Sequence, residues 1–253
     1  MKIIRFAAVV LAIASAAQAA LAQNSISLEQ VVARLDENFA GINTYQAKFE
    51  QEILSEQFDK TISKGAGELR YSKPGKMWWH YTKPEQRYYI TDGKLLWDYL
   101  PSYQQAMKMK LDEALSSNLP KSFLFGMGKL KDQFEIAFAP DQAKTNPEVY
   151  HLLLNPRKDQ DRAIIGTVEL FVDPKTFLVQ QAKLKDAMGN QNTLRFSEIK
   201  VNAQVPNKIF SFTPAQGVEV IQAPEEPPAR PGAKPKPGSA GVQKNPEKGV
   251  EKK

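Results

Sequence analysis

Hydrophobic spacing changes along the chain, and each change marks a new kind of element. Leu28, Val31, Val32, Leu35 and Phe39 recur at 3.6-residue spacing, which predicts one amphipathic helix over residues 27–40. Ser27 is placed to cap it, Gln30 completes a capping box, and Gly41 stops it. From Tyr45 the period drops to two. Strands are predicted at roughly 44–56, 60–72, 76–82, 85–91, 94–99 and 104–110. Lys73-Pro74-Gly75 and Lys83-Pro84 mark turns between them, and Asp92-Gly93 predicts a type I′ hairpin.

The helical period returns at Leu111, Leu115, Leu119, Phe123, Leu124 and Met127, which predicts two short helices at about 112–117 and 120–127. Pro120 suits the first turn of the second. Strands resume at 133–139, 148–155, 163–173, 176–185 and 191–201, with turns at Asp173-Pro174-Lys175 and Gly189-Asn190. A short last strand is expected from Ile209 to Thr213. The whole reads as mostly β: about eleven antiparallel strands in one wrapped sheet, with helices at the front and middle.

The two ends are different material. Lys2 and Arg5 precede an Ala-rich apolar run that ends in Ala20-Leu21-Ala22, the pattern of a cleaved secretory signal. The expected organisation is a signal peptide over 1–22, one folded domain over 23–222 and a disordered Pro/Lys-rich tail over 223–253. Charge follows the same division. The formal net charge is +6, of which the signal carries +2 and residues 224–253 carry +3. The folded body is left near neutral, so nucleic acid, whose binding rests on phosphate neutralisation, is not an expected partner.

Recognisable chemistry is absent from the pattern. There is no Cys, hence no disulfide framework, no thiol nucleophile and no lipid-anchored cysteine after the cleavage point. His80 and His151 are the only histidines, and each sits inside a predicted strand among aromatics or aliphatics. No G-x-S-x-G elbow occurs, and Gly65-Ala66-Gly67 runs on into a strand, which suits a turn or bulge better than a phosphate loop. Asp159 and Asp161 fall in a polar hairpin loop. The chain is expected to be no enzyme and to need no cofactor or metal.

What remains is greasy. Met77-Trp78-Trp79-His80-Tyr81, Tyr88-Tyr89-Ile90 and Leu95-Leu96-Trp97 place large apolar groups on both faces of their strands. A sheet with one wet face carries polar residues there, so these strands need cover on both sides. Either a helix packs on them as an ordinary core, or helices lid an apolar cavity. Met107, Met109 and Met127 suit the second case, because thioether side chains adapt to irregular guests.

Three blocks of the sequence resemble a known family. Gly67 to Trp79, continuing through Tyr81 and Lys83-Pro84, is similar to a hairpin of the periplasmic lipoprotein carriers of the LolA family. Ile90-Thr91-Asp92-Gly93-Lys94-Leu95-Leu96-Trp97-Asp98-Tyr99 resembles a second family segment, and Phe210-Ser211-Phe212-Thr213-Pro214 with Gly217-Val218 resembles its closing motif. The blocks stand in family order across about residues 27–221.

The resemblance implies an unclosed antiparallel barrel covered by short helices. It implies a monomeric periplasmic chaperone whose cavity holds lipoprotein acyl chains. Its implied partners are the inner-membrane ABC transporter LolCDE, which loads it, and the outer-membrane receptor LolB, which unloads it. On this basis Trp78, Trp97, Met107 and Met109 are expected to line the cavity, and Leu115, Leu119, Phe123, Leu124 and Met127 its lid. The family often has an Arg before the Pro of the first hairpin, hydrogen-bonded to helix backbone as a latch. Here Lys73 stands in that place and is either the latch or a surface-turn lysine. Three other functions stay open on the sequence: carriage of another lipid or a glycolipid, a regulatory sensor domain using the same sheet, and an esterase.

Overall fold

The computed structural model describes residues 26–112, 130–142, 148–162 and 165–222. The expected lid residues Leu115, Leu119, Phe123, Leu124 and Met127, the signal segment and the C-terminal tail lie outside the described residues.

Helix α1 runs Leu28–Gly41. Ser27 accepts from the Gln30 amide while the Gln30 side chain accepts from the Ser27 amide, so the predicted capping box is present. Six strands follow: β1 Thr44–Ser55, β2 Lys60–Ser72, β3 Lys76–Lys83, β4 Arg87–Thr91, β5 Leu95–Leu100 and β6 Gln105–Lys110. A helical turn α2, Leu130–Gln133, leads into β7 Phe134–Phe138 and β8 Tyr150–Pro156. A second short helix, α3 Asp159–Arg162, occupies the polar stretch expected to be a loop. Then come β9 Ile165–Val172, β10 Val179–Asp186, β11 Gln191–Val201 and β12 Glu219–Gln222.

All twelve strands form one sheet in the order β12-β6-β5-β4-β3-β2-β1-β11-β10-β9-β8-β7. Its two ends, β12 and β7, are not paired to each other, so the sheet is unclosed. Eleven strands are antiparallel hairpin partners, as the turn spacing predicts. The twelfth differs. Ile209–Thr213 is not a strand, because Asn207–Phe210 winds into a 3-10 turn. The last strand lies further on and pairs parallel to β6. A parallel neighbour needs a long crossover, and residues 202–218 supply it.

One turn also differs from expectation in detail. A type I′ turn needs positive φ at both central residues. Only Gly93 has it, at +97°, while the Asp92 carboxylate accepts from the Lys94 and Leu95 amides. The result is a three-residue loop held by an aspartate. In β2, Gly67 sits at a register shift, the bulge expected there. A Cβ on Gly67 would lie 1.9 Å from the His80 carbonyl oxygen, so only glycine lets β3 approach.

Alternation sorts the side chains into two faces. On β3, Met77, Trp79 and Tyr81 point to the face that α1 covers, and Trp78 and His80 point away. The helix-covered face holds two apolar clusters. Val31 and Leu35 of α1 pack with Leu130, Phe134, Leu152, Leu154, Val168 and Leu170 over β7–β10. Phe49, Leu69, Met77, Trp79, Leu111 and Leu194 form the second, over β1–β3 and β11.

The opposite face of β3–β5 is covered by the crossover. Phe212 packs on Trp97 at 5.2 Å and on Tyr99 at 4.9 Å between ring centroids. Lys76 Nζ donates to Asn207 Oδ1 at 3.0 Å, and Phe210 is fully buried. Residues 202–214 thus act as a strap that covers Trp97 and Tyr99 on the face they share with Trp78 and Ile90. We expect Phe210→Ala to cost about 3–5 kcal/mol, read as a lowered urea midpoint, because burial of that ring is what fastens the strap.

Candidate lipid-binding site

The candidate site is the gap between the C-terminal end of α1 and the sheet. A cavity of about 130 Å³ opens there, lined by Phe39, Ile42, Tyr45, Leu69, Met77 and Trp79 among others, with Leu178, Val179 and Phe196 on its far side. Asn38 and Lys73 are the polar members of its wall besides the tyrosine hydroxyls. Local pairing explains the lining. Tyr45, Tyr71 and Met77 stand opposite one another on β1, β2 and β3, and Ala47, Leu69 and Trp79 form the next row. In the rings below, Phe49 packs tilted on Trp79 at 4.8 Å and edge to face on Tyr81 at 4.8 Å.

Polar bonds hold α1 over this gap at its last turn. A helix leaves its final carbonyls without intrahelical donors, and cations there are favoured by the dipole. No basic residue lies in the last turn of α1. Lys73 supplies the charge from the β2–β3 turn. Its Nζ donates to the Phe39 carbonyl at 3.1 Å and to the Ala40 carbonyl at 2.7 Å. Asn202 Nδ2 donates to the Gly41 carbonyl at 3.1 Å, and Asn38 Nδ2 donates to the Thr176 carbonyl. An ammonium thus makes contacts to helix backbone of the kind the latch expectation describes, without the fork geometry of a guanidinium.

The residues expected from sequence fall on both faces. Met109 stands opposite Leu96, and Met107 opposite Asp98, which pairs with Tyr89 and so shares the face of Trp79. Both methionines are therefore on the helix face, further along it than the cavity. Trp78 and Trp97 are on the other face, joined through Ile90, where the strap covers them. The tryptophan that lines the cavity is Trp79. A shift of one residue reverses the face of a strand, and two adjacent tryptophans give no phase. The missing signal lay in β1: Lys48 and Glu50 are exposed, which turns Ala47 and Phe49 inward and carries that phase through the hairpins to Trp79. The lining residues Phe177 and Leu178 come from the turn before β10 and have no periodic signal.

The histidines stand away from the cavity. His80 stacks on Tyr88 at 4.3 Å on the strap-covered face, where burial lowers its pKa. The His151 ring lies between Asp141 and Glu169, each 2.8 Å from a ring nitrogen.

Two expectations follow. Lys73→Met should cost about 1 kcal/mol and speed hydrogen exchange in the last turn of α1, whereas Lys73→Arg should preserve protection. The second concerns alkaline pH. Burial pushes the Tyr81 hydroxyl up to about 12 from an ordinary 10.0, and raises Tyr45 and Tyr89 further. Below pH 10 these tyrosines are protonated in both folded and unfolded chains. Above it the unfolded chain loses phenolic protons that the folded chain keeps, so stability falls as pH rises from about 10 through 12. Tyr81→Phe should flatten that fall in urea midpoints measured across the range.

Known proteins share this stretch of chain. The family model of the outer membrane lipoprotein carrier protein LolA matches residues 40–213. An outer-membrane lipoprotein carrier protein of Nitrosomonas europaea is 30% identical over 179 residues, 71% of this chain and 82% of that one. One of Cupriavidus pinatubonensis is 32% identical over 185 residues, 72% of this chain and 82% of that one. Among solved structures, a LolA superfamily protein of Nitrosomonas europaea covers 74% of this chain and 99% of its own, with a TM-score of 0.41 and 15% identity. The matched residues run from the end of α1 through β11 and the strap, which is the stretch that builds both the cavity floor and its outer cover, and the chain belongs to the LolA family of outer membrane lipoprotein carriers.

Proposed function

We propose that this chain is a periplasmic chaperone that takes up the acyl chains of lipoproteins released from the inner membrane and delivers them to an outer-membrane receptor. The observation that carries this reading is the apolar cavity at the end of α1, walled by removable polar contacts. Each methylene taken from water contributes about 0.8 kcal/mol, so a chain of roughly fourteen is worth on the order of 11 kcal/mol. The Lys73 contacts are worth about 1 kcal/mol. An arriving acyl chain outweighs them, and α1 re-forms them once the chain has left.

The cavity as it stands is on the scale of one that admits a single benzene-sized guest, about 150 Å³. A full acyl chain therefore enters by lifting the end of α1 and extending along the helix face toward Met107 and Met109. In this reading Lys73 is the latch, Trp79 is the floor, and Trp78 and Trp97 belong to the strap side. The inner-membrane transporter LolCDE as loader and the receptor LolB as acceptor come to this chain from its family. A carrier role requires no nucleophile and no resident cofactor.

The test is release of a tagged lipoprotein from membrane vesicles into the supernatant on addition of the purified protein. We expect stoichiometric release by the wild type. Leu178→Glu puts a carboxylate at a half-buried position of the cavity wall and should reduce release at least tenfold while the chain stays folded by circular dichroism. Mass spectrometry of co-purified lipid separates this cargo from a glycolipid or free lipid.

A further inference from the structure

One feature of the helix face is not explained by a purely apolar guest. Arg87 stands opposite Tyr81, and Asp98 stands opposite Tyr89, so both lie on the face of Trp79. The guanidinium grips the carboxylate through two bonds, Nε to Oδ1 at 2.8 Å and Nη2 to Oδ2 at 2.6 Å. The Asp98 side chain is 13% exposed, whereas 39% of the Arg87 side chain is still open. The guanidinium lies 4.9 Å over the Tyr89 ring. Two of its five N–H groups serve Asp98, and the other three have no acceptor among the described residues.

This pair ends a polar band across the sheet. Tyr81 donates its hydroxyl to Gln51 Oε1 at 3.0 Å, and Gln51 Nε2 donates to Asn192 Oδ1 at 3.0 Å. The band passes from β11 through β1 and β3 to β4 and β5. From Tyr81 back to Met77 is four residues, about 13 Å at the rise of a strand. The helix face is therefore graded along its strands, apolar beside the end of α1 and polar about 13 Å away. The fold does not need that grading, since an ion pair of this kind can be replaced by apolar groups at little cost.

We infer that the Arg87–Asp98 pair is a subsite for the carbonyl oxygens at the head of an acyl chain, ester or amide, with the hydrocarbon running from there toward Met77 and α1. The inference rests on the carrier reading. Asp98 matters as much as Arg87. By cancelling the charge it leaves N–H donors that suit a neutral carbonyl and offers no net attraction to a phosphate. The subsite thus fixes which end of the cargo lies where, and it favours chains joined through a carbonyl.

Matched probes isolate that carbonyl. Hexadecanoyl glycerol carries it, hexadecyl glycerol ether lacks it, and N-hexadecanoyl ethanolamine carries it as an amide. Each is titrated against a fluorescent apolar dye bound to the purified chain. The wild type should bind the ester and the amide about tenfold more tightly than the ether, the size of one hydrogen bond to a charged donor. Arg87→Met with Asp98→Leu should remove that preference and leave ether binding unchanged. Asp98→Asn, which uncovers the cation, should raise affinity for hexadecyl phosphate. Equal binding of ester and ether by the wild type would overturn the subsite, as would a preference that survives the double substitution. Those results leave the carrier reading intact. Failure of the wild type to bind any of the probes would sink both, and the wild-type ratio decides the subsite even where the double variant does not fold.

Discussion

The structure depends on a problem of cover. Strands β3–β5 carry large apolar side chains on both faces, and a sheet in water must hide each of them. The two faces are hidden by different means. On one side the strap lays Phe212 over Trp97 and Tyr99, with the buried Phe210 ring as its fastening. On the other, α1 packs its apolar stripe on β7–β10, and its end, held by polar bonds, reaches over β1–β3. The first cover is integral to the fold. The second is held at its end by polar bonds to the last carbonyls beside the packed Phe39 ring, and in the proposed reading it is the cover that lifts.

This asymmetry explains why a helix so well packed along most of its length borders a cavity. Val31 and Leu35 sit in a continuous core with Leu152, Leu154 and Leu170, where close packing leaves no room for a guest. Phe39 and Ile42, one to two turns later, face rings on β1–β3 across a gap. The change in character along one helix sets where the cavity opens, and in the proposed carrier reading that is where an acyl chain enters.

The polar band adds direction to the same face. An apolar trough alone holds a hydrocarbon in either orientation. Asn192, Gln51, Tyr81 and the Arg87–Asp98 pair place hydrogen-bonding groups at one end of it. The glycine at position 65 contributes by leaving space: a Cβ there would meet the Tyr81 ring at 3.1 Å, so its absence lets the ring lie over β2 and reach Gln51.

Much of this was legible from residue order. The capped helix α1, the strand succession from β1 to β11 and the need for two-sided cover follow from local periodicity and turn residues, because those signals act over a few positions. The shared motif blocks pointed to the family. Three things were decided only by tertiary structure. The first is face: Trp79 and not Trp78 lines the cavity, since phase must be carried across paired strands from β1. The second is the crossover, which turns Ile209–Phe210 into a 3-10 anchor and puts the last strand parallel to β6; nothing local tells a strand from a strap of the same composition. The third is proximity: Lys73 meets α1 34 residues away and Arg87 meets Asp98 across a hairpin, contacts made by pairing register and not by any spacing in the chain.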